Sequence, residues 1–156
     1  MNNKRVITLL MLMCFAVATL APTVDASTFQ RRTKKFDPDG EFLLIGKPAK
    51  SFENVSSIVL LRLKGTYLNA RSGVYLTSNY LQRFSRATVT EQKFSFETIV
   101  RRGVTYIFDG HFLRGGVFAE LSLDLDKAML KGHLTKLVNG HKVAETDIEF
   151  SYFGGT

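Results

Sequence analysis

The sequence predicts an all-β domain: an antiparallel meander of about eight to ten strands closing into an up-and-down barrel, with a β-sandwich as the alternative. Three observations carry that expectation. Apolar and polar residues alternate with period two through most of the chain after Glu41, and no long window favours a helix. Thirteen phenylalanines and five tyrosines stand beside only three prolines, a composition suited to strands. The chain has twelve glycines, and most fall between or inside the strand candidates, where they serve as turns or as points of curvature. At 156 residues, 45% hydrophobic and 22% charged, the chain has the size and polarity of one compact domain.

Residues 1–26 read as a secretory signal that is not part of that domain. Lys4 and Arg5 form a positive start, Val6 to Ala18 is apolar except for Thr8, and Val24-Asp25-Ala26 puts small residues where a signal peptidase reads. The apolar run is short for a bilayer span, and no later segment reaches the roughly 18 to 20 residues one needs. The expected location is therefore secreted or periplasmic. Cleavage after Ala26 removes Cys14, the only cysteine, and with it disulfides, thiolate metal sites and cysteine catalysis. It also removes Lys4, Arg5 and Asp25, so 21 basic and 14 acidic residues become 19 and 13, a net charge of +6.

Residues 27–40 carry Arg31, Arg32, Lys34 and Lys35 and end in the turn signal Asp37-Pro38-Asp39-Gly40, a pattern expected of a basic, flexible leader. The single β domain then occupies 41–156. Its strand candidates are 41–46, 56–64, 66–70, 73–77, 83–90, 93–100, 104–114, 117–125, 128–137 and 141–153, and the pairing within 56–90 is left open. Charge is uneven but not striped: residues 27–115 hold 15 basic and 7 acidic groups, and 116–156 hold 4 and 6.

Matching apolar faces sets a register for the last five strands. Arg101-Arg102-Gly103 suits a three-residue loop, pairing Val100 with Val104, Phe96 with Phe108 and Phe94 with Gly110. Gly115-Gly116 suits a two-residue loop that sets Phe112 against Ala119, Gly110 against Leu121 and Phe108 against Leu123. Asp126-Lys127 does the same for Leu125 with Ala128, Leu123 with Leu130 and Leu121 with Gly132. Asn139-Gly140 invites a two-residue turn, but simple continuation would bury Glu145, Asp147 and Glu149. A three-residue loop, Val138 to Gly140, instead brings Ala144, Thr146, Ile148 and Phe150 to the apolar face and Leu130 opposite Ile148. The expected inner row is then Phe94, Gly110, Leu121, Gly132, Thr146, and its glycines imply strong curvature.

The same register places His111, Glu120, His133 and Glu145 in a row on the outer face. Parallel side chains on a flat row converge poorly on a metal, and the alternating charges suit cross-strand ion pairs, so no metal is expected. There is no Gly-x-Ser-x-Gly elbow, no His-Glu-x-x-His helix and no phosphate-cradling loop; the chain reads as non-enzymatic, with no cofactor. Nucleic acid is not an expected partner, because Phe94, Phe96, Phe108 and Phe112 share their face with leucines and read as core. Nor does the outer face suit a barrel spanning the outer membrane, since Glu120, Asp124, Lys131, His133 and Asp147 would meet lipid.

What remains is a binding barrel. A small closed sheet can hold one apolar ligand such as a lipid, and its expected wall is Phe94, Phe96, Tyr106, Phe108, Leu123 and Leu130, with Gly110 and Gly132 leaving space. This architecture is similar in outline to lipocalin-like proteins, although the tryptophan of their N-terminal Gly-x-Trp motif is absent and no residue role is carried over. The alternative is a structural or protein-interaction module, an inhibitor or envelope component, with a filled core. Export is directly testable: the intact mass of the exported product should correspond to a chain beginning at Ser27, and a product retaining Met1 would contradict the signal assignment.

Overall fold

The computed structural model describes residues 35–121 and 125–154. Residues 1–34, which include the expected signal segment and the start of the expected leader, lie outside them, as do Leu123 and Asp124. Eight antiparallel strands form a closed up-and-down barrel in sequence order: β1 (Gly40–Leu44), β2 (Val55–Leu60), β3 (Gly73–Leu76), β4 (Tyr80–Val89), β5 (Phe94–Thr98), β6 (Val104–Phe112), β7 (Leu130–Val138) and β8 (His141–Phe153). Closure is made by β1 against β8, with Phe42 opposite Tyr152 and Leu44 opposite Phe150. Every strand thus has two neighbours, which removes the exposed edges of an open sheet. Among the described residues no helix is long and apolar enough to cross a membrane.

An eight-stranded barrel has an interior just wide enough for side chains to fill. Here aromatic rings fill it. Phe42, Phe94, Phe108, Phe118 and Phe150 are fully buried. Ring contacts run from Phe84 and Phe96 through Phe94 and Phe108 to Phe112, Phe42, Phe118 and Tyr152, mostly tilted or edge-on, with centroids 4.7 to 6.2 Å apart.

The expected pairs Phe94 with Gly110 and Phe96 with Phe108 are present. The described part of segment 117–125, however, contains no strand. β6 pairs directly with β7, so Phe112 faces Leu130, Phe108 faces Leu134 and Gly110 faces Gly132. The inner row is therefore Phe94, Gly110, Gly132, Ile148. The expected pairs involving Ala119, Leu121 and Leu125 do not form. Instead Val117 bridges to Asp37, residues Phe118–Glu120 make a 3-10 turn, and the Phe118 ring drops among Phe36, Phe42, Phe112 and Tyr152. The ring is fully buried there and stoppers this end of the barrel. Segment 66–70 likewise belongs to the connection between β2 and β3.

Adjacent glycines have a specific use. A methyl group on Gly132 would stand 2.5 Å from Cζ of Phe108 and 2.6 Å from the Asp109 carbonyl, and one on Gly110 would also meet Phe108 Cζ at 2.5 Å. The Phe108 ring lies over both positions, so the two missing side chains make room for a ring of the protein itself.

Both long hairpins reconcile a turn preference with a face match by means of a bulge. Arg102-Gly103 and Asn139-Gly140 have φ of 48° and 76°, and 51° and 81°, the left-handed pairs of a two-residue type I′ turn. The expected three-residue loops are corrected accordingly. In the last hairpin the register shifts at Lys136/Leu137, leaving Val143 as the extra residue of β8. Ala144, Thr146, Ile148 and Phe150 consequently reach the inner side as expected, but Leu130 faces Phe150 and not Ile148. In the β5–β6 hairpin Arg101 bridges to Val104, in place of Val100, while Glu97 still faces Ile107. One extra residue sits on the β5 side, and Val100 is 70% exposed.

Two substitutions probe this packing. Gly132→Ala should lower stability by about 1–3 kcal/mol through overpacking against Phe108. Phe118→Ala should cost about 3–5 kcal/mol by emptying the stopper. Denaturant unfolding of the two variants measures both; a Gly132→Ala protein as stable as the parent would contradict the ring-over-glycine arrangement.

Candidate functional site

The barrel has two dissimilar ends. One is stoppered by Phe36 and Phe118. The other is bounded by segment 45–54 and the turns 77–79, 99–103 and 139–140. There, a cavity of about 430 Å³ is lined by Asn54, Leu76, Tyr80, Gln82, Arg101, Arg102, Val104, Tyr106 and Lys136, together with Ser78 and Asn79 of the β3–β4 turn.

Its floor is a polar cluster inside an apolar barrel. Gln82 is 1% exposed on the inner side of β4, and its Nε2 lies 2.8 to 3.0 Å from Thr98 Oγ1, the Ile99 carbonyl and the Val104 carbonyl. Those two carbonyls lie on either side of the β5–β6 turn; Gln82 gives the Ile99 carbonyl a donor and is a second one for the Val104 carbonyl, which also accepts from the Arg101 amide at 2.9 Å. Thr98 Oγ1 also accepts from the Tyr106 amide at 2.9 Å. Asn54 Nδ2 donates to the Tyr106 hydroxyl at 2.8 Å, and burial pushes the Tyr106 pKa up, keeping it a neutral phenol.

The walls are cationic. Arg101 stacks on the Tyr80 ring with its guanidinium carbon 3.0 Å from the centroid, which holds the side chain over the cavity. Arg102 occupies the first position of the type I′ turn, and Lys136 Nζ reaches back to the Ser51 carbonyl at 3.1 Å. Among the described residues none of the three has a carboxylate partner, and no Asp or Glu lines the cavity. Three positive groups over a polar floor, with Leu76, Val104 and the rings of Tyr80 and Tyr106 beside them, suit an anion attached to an apolar body.

A larger groove of about 630 Å³ lies on the outer side near the stoppered end, along Glu41, Val59, Leu61, Tyr75 and Leu81. It carries Arg71 together with Asp39 and Glu41, so its charges are of both signs and select no ligand charge.

Most expected wall residues belong to the core. Phe94, Phe96, Phe108 and Leu130 are buried among other side chains, and the space at Gly110 and Gly132 is taken by the Phe108 ring. Tyr106 is buried as well, yet it also lines the open-end cavity. Leu123 lies outside the described residues. The sequence reading overlooked Gln82, because the strand was started at Arg83, and it treated Arg101 and Arg102 only as turn residues. A glutamine two residues before Phe84, with inward parity, was the available signal.

The outer row is rearranged. His111 pairs in register with Lys131, and Asp109 with His133. Glu120 sits in the 3-10 turn between β6 and β7. His133 Nδ1 is 3.1 Å from Asp147 and Nε2 is 3.3 Å from Glu145. Among the described residues no group of three or more His, Cys, Asp and Glu is placed to hold a metal ion. Comparison with family models, with curated proteins and with solved structures finds no match for this chain. The chemistry of the site stands on its own residues.

Hydrogen bonds to Asp147 and then Glu145 raise the His133 pKa above 6.5. A group whose folded pKa is raised contributes stability that is fully present below its unfolded pKa and is lost as pH rises through the folded value. His133→Asn should therefore lose its effect on stability between mildly acidic and alkaline pH. Proton NMR titration of the ring should show a midpoint above the ordinary histidine value; a midpoint at or below it would contradict the two contacts.

Proposed function

We propose that the chain is an exported, non-enzymatic binding barrel that takes a small amphipathic molecule end-on, its anionic group at Arg101, Arg102 and Lys136 and its apolar part against Tyr80, Leu76 and Val104. The observation that carries this reading is a cavity with three cations and no carboxylate in its lining. Unpaired cations beside a partly enclosed, low-dielectric surface bind an anion more strongly than they would in bulk water. A volume of about 430 Å³ falls in the range of small-molecule sites. A fatty acid or a similar lipid with a compact anionic head meets these requirements, and the filled core favours partial insertion at the mouth over full enclosure.

The filled core also favours a second reading, a structural or protein-interaction module whose barrel is only a scaffold. One experiment separates the two. A fluorescent fatty-acid probe and its uncharged methyl ester are titrated against the protein and against the double variant Arg102→Asn, Lys136→Gln. Asn tolerates the left-handed turn position, so the hairpin is retained. The acid should bind saturably at micromolar concentration, the ester at least about tenfold more weakly, and the variant should lose about tenfold for the acid alone, or ~1.4 kcal/mol. Equal binding of acid and ester would remove the cationic head-group role. No saturable binding of either would favour the interaction module.

A further inference from the structure

The segments surrounding the open end carry an unbalanced charge. Residues 45–54, 77–79, 99–103 and 139–142, with Lys136 beside them, hold Lys47, Lys50, Arg101, Arg102, Lys136 and Lys142 against a single carboxylate, Glu53. Among the described residues, Lys142 is the only one of the six in an ion pair, 2.9 Å from Glu145. The charged side of β4–β8 is arranged differently. Arg86 pairs there with Glu97, Lys93 with Asp109 at 3.1 Å and Lys131 with Glu149 at 2.9 Å. Three cations of the wall are neutralised across strands, whereas five of the six around the open end have no ion pair among the described residues.

The same end also offers apolar side chains to solvent. Val100, in the irregular stretch between Glu97 and Arg101, is 70% exposed, and Val143, the extra residue of the β8 bulge, is 56% exposed. The two hairpin tips form one surface, because the Asn139 amide donates to the Gly103 carbonyl at 2.7 Å. Val100-Arg101-Arg102 and His141-Lys142-Val143 therefore flank a common seam. Isolated exposed valines need no explanation. Two of them on joined tips, each beside cations, form the mixed apolar and basic face that interfacial membrane binders present.

We propose that the open end is a docking surface for an anionic phospholipid bilayer, with Val100 and Val143 entering the interfacial region and the surrounding Lys and Arg side chains meeting lipid phosphates. Charge complementarity selects an anionic partner, and the valines select one with an apolar phase to enter. A nucleic acid offers the first without the second, and the ring of Tyr80 is already covered by Arg101. The inference does not depend on the cavity holding a ligand, since neither valine lines it. Lysines near an anionic lipid surface each contribute about fivefold in affinity.

The chain contains no tryptophan, so a single one introduced at a chosen position reports its own surroundings. Val100→Trp, with Val143→Trp as a second variant should the first fail to fold, is titrated with vesicles of phosphatidylcholine and phosphatidylglycerol in equal parts, and with vesicles of phosphatidylcholine alone. Leu68→Trp, on the β2–β3 connection at the opposite end, is the orientation control. The expected result is a blue shift and protection from a soluble quencher at Val100 or Val143 on the anionic vesicles only, with no change at Leu68. Lys47→Gln combined with Lys50→Gln should weaken vesicle binding by about 25-fold, and raised salt should weaken it further. Neither lysine lines the cavity, so binding of the soluble fatty-acid probe should survive this double variant, which separates docking from ligand capture. Four outcomes would each overturn the proposal: no binding to anionic vesicles, equal binding to neutral ones, a shift at Leu68 instead, or attachment with no shift at any of the three positions. The last would assign attachment to the basic segment before the barrel.

Discussion

The barrel depends on one side chain lying where two others are missing. Gly110 and Gly132 are partners across β6 and β7, and the ring of Phe108 fills the hollow that their absent Cβ atoms leave. With side chains at both positions the ring would have to stand up into the interior, which is already occupied by Phe94, Phe96 and Phe150. With the ring laid flat, the two strands can bend around it and eight strands can close. The filled interior follows from this arrangement, and so does the displacement of polar chemistry to the ends.

The two ends divide the remaining work. At one, Phe36 and Phe118 complete the aromatic core, and Arg62 ties the incoming chain to the β2–β3 connection: its amide donates to Asp39 at 2.9 Å, and its guanidinium donates to Tyr67 at 2.7 Å. At the other, core residues give way to Gln82, Thr98, Asn54 and the Tyr106 hydroxyl, a hydrogen-bonded floor beneath unpaired cations. A buried amide costs free energy when left unsatisfied. Gln82 is tolerated because its amide reaches Thr98 Oγ1 and the Ile99 and Val104 carbonyls beside the bulge. The polar floor is thus a structural requirement of the hairpin as well as a surface that a ligand can meet.

Much of this was legible in the chain. Alternation and aromatic content identified the meander, and face matching placed Phe94 opposite Gly110 and Phe96 opposite Phe108. Face matching went astray where two rules competed. Asn139-Gly140 favoured a two-residue turn and the carboxylates of β8 forbade its simple continuation; choosing between the rules missed that an extra Val143 satisfies both. Segment 117–125 alternates convincingly, but periodicity cannot register the gain from inserting Phe118 into an open barrel end. The cationic mouth escaped for a related reason. Arg101, Arg102 and Lys136 are distant in sequence from Asn54 and Tyr80, and only closure of the sheet brings them together.

The bulges at Val100 and Val143 separate two kinds of inheritance within each hairpin. Below the bulge, residue parity is tied to the aromatic interior, and a single insertion would turn every following side chain to the wrong side. Above it, the tip is held by its own left-handed turn and no longer transmits its register to the barrel. Charge, length and polarity at the rim can therefore drift without disturbing the core. Descendants of this chain could exchange what they grip at the mouth while keeping the same ring over the same two glycines.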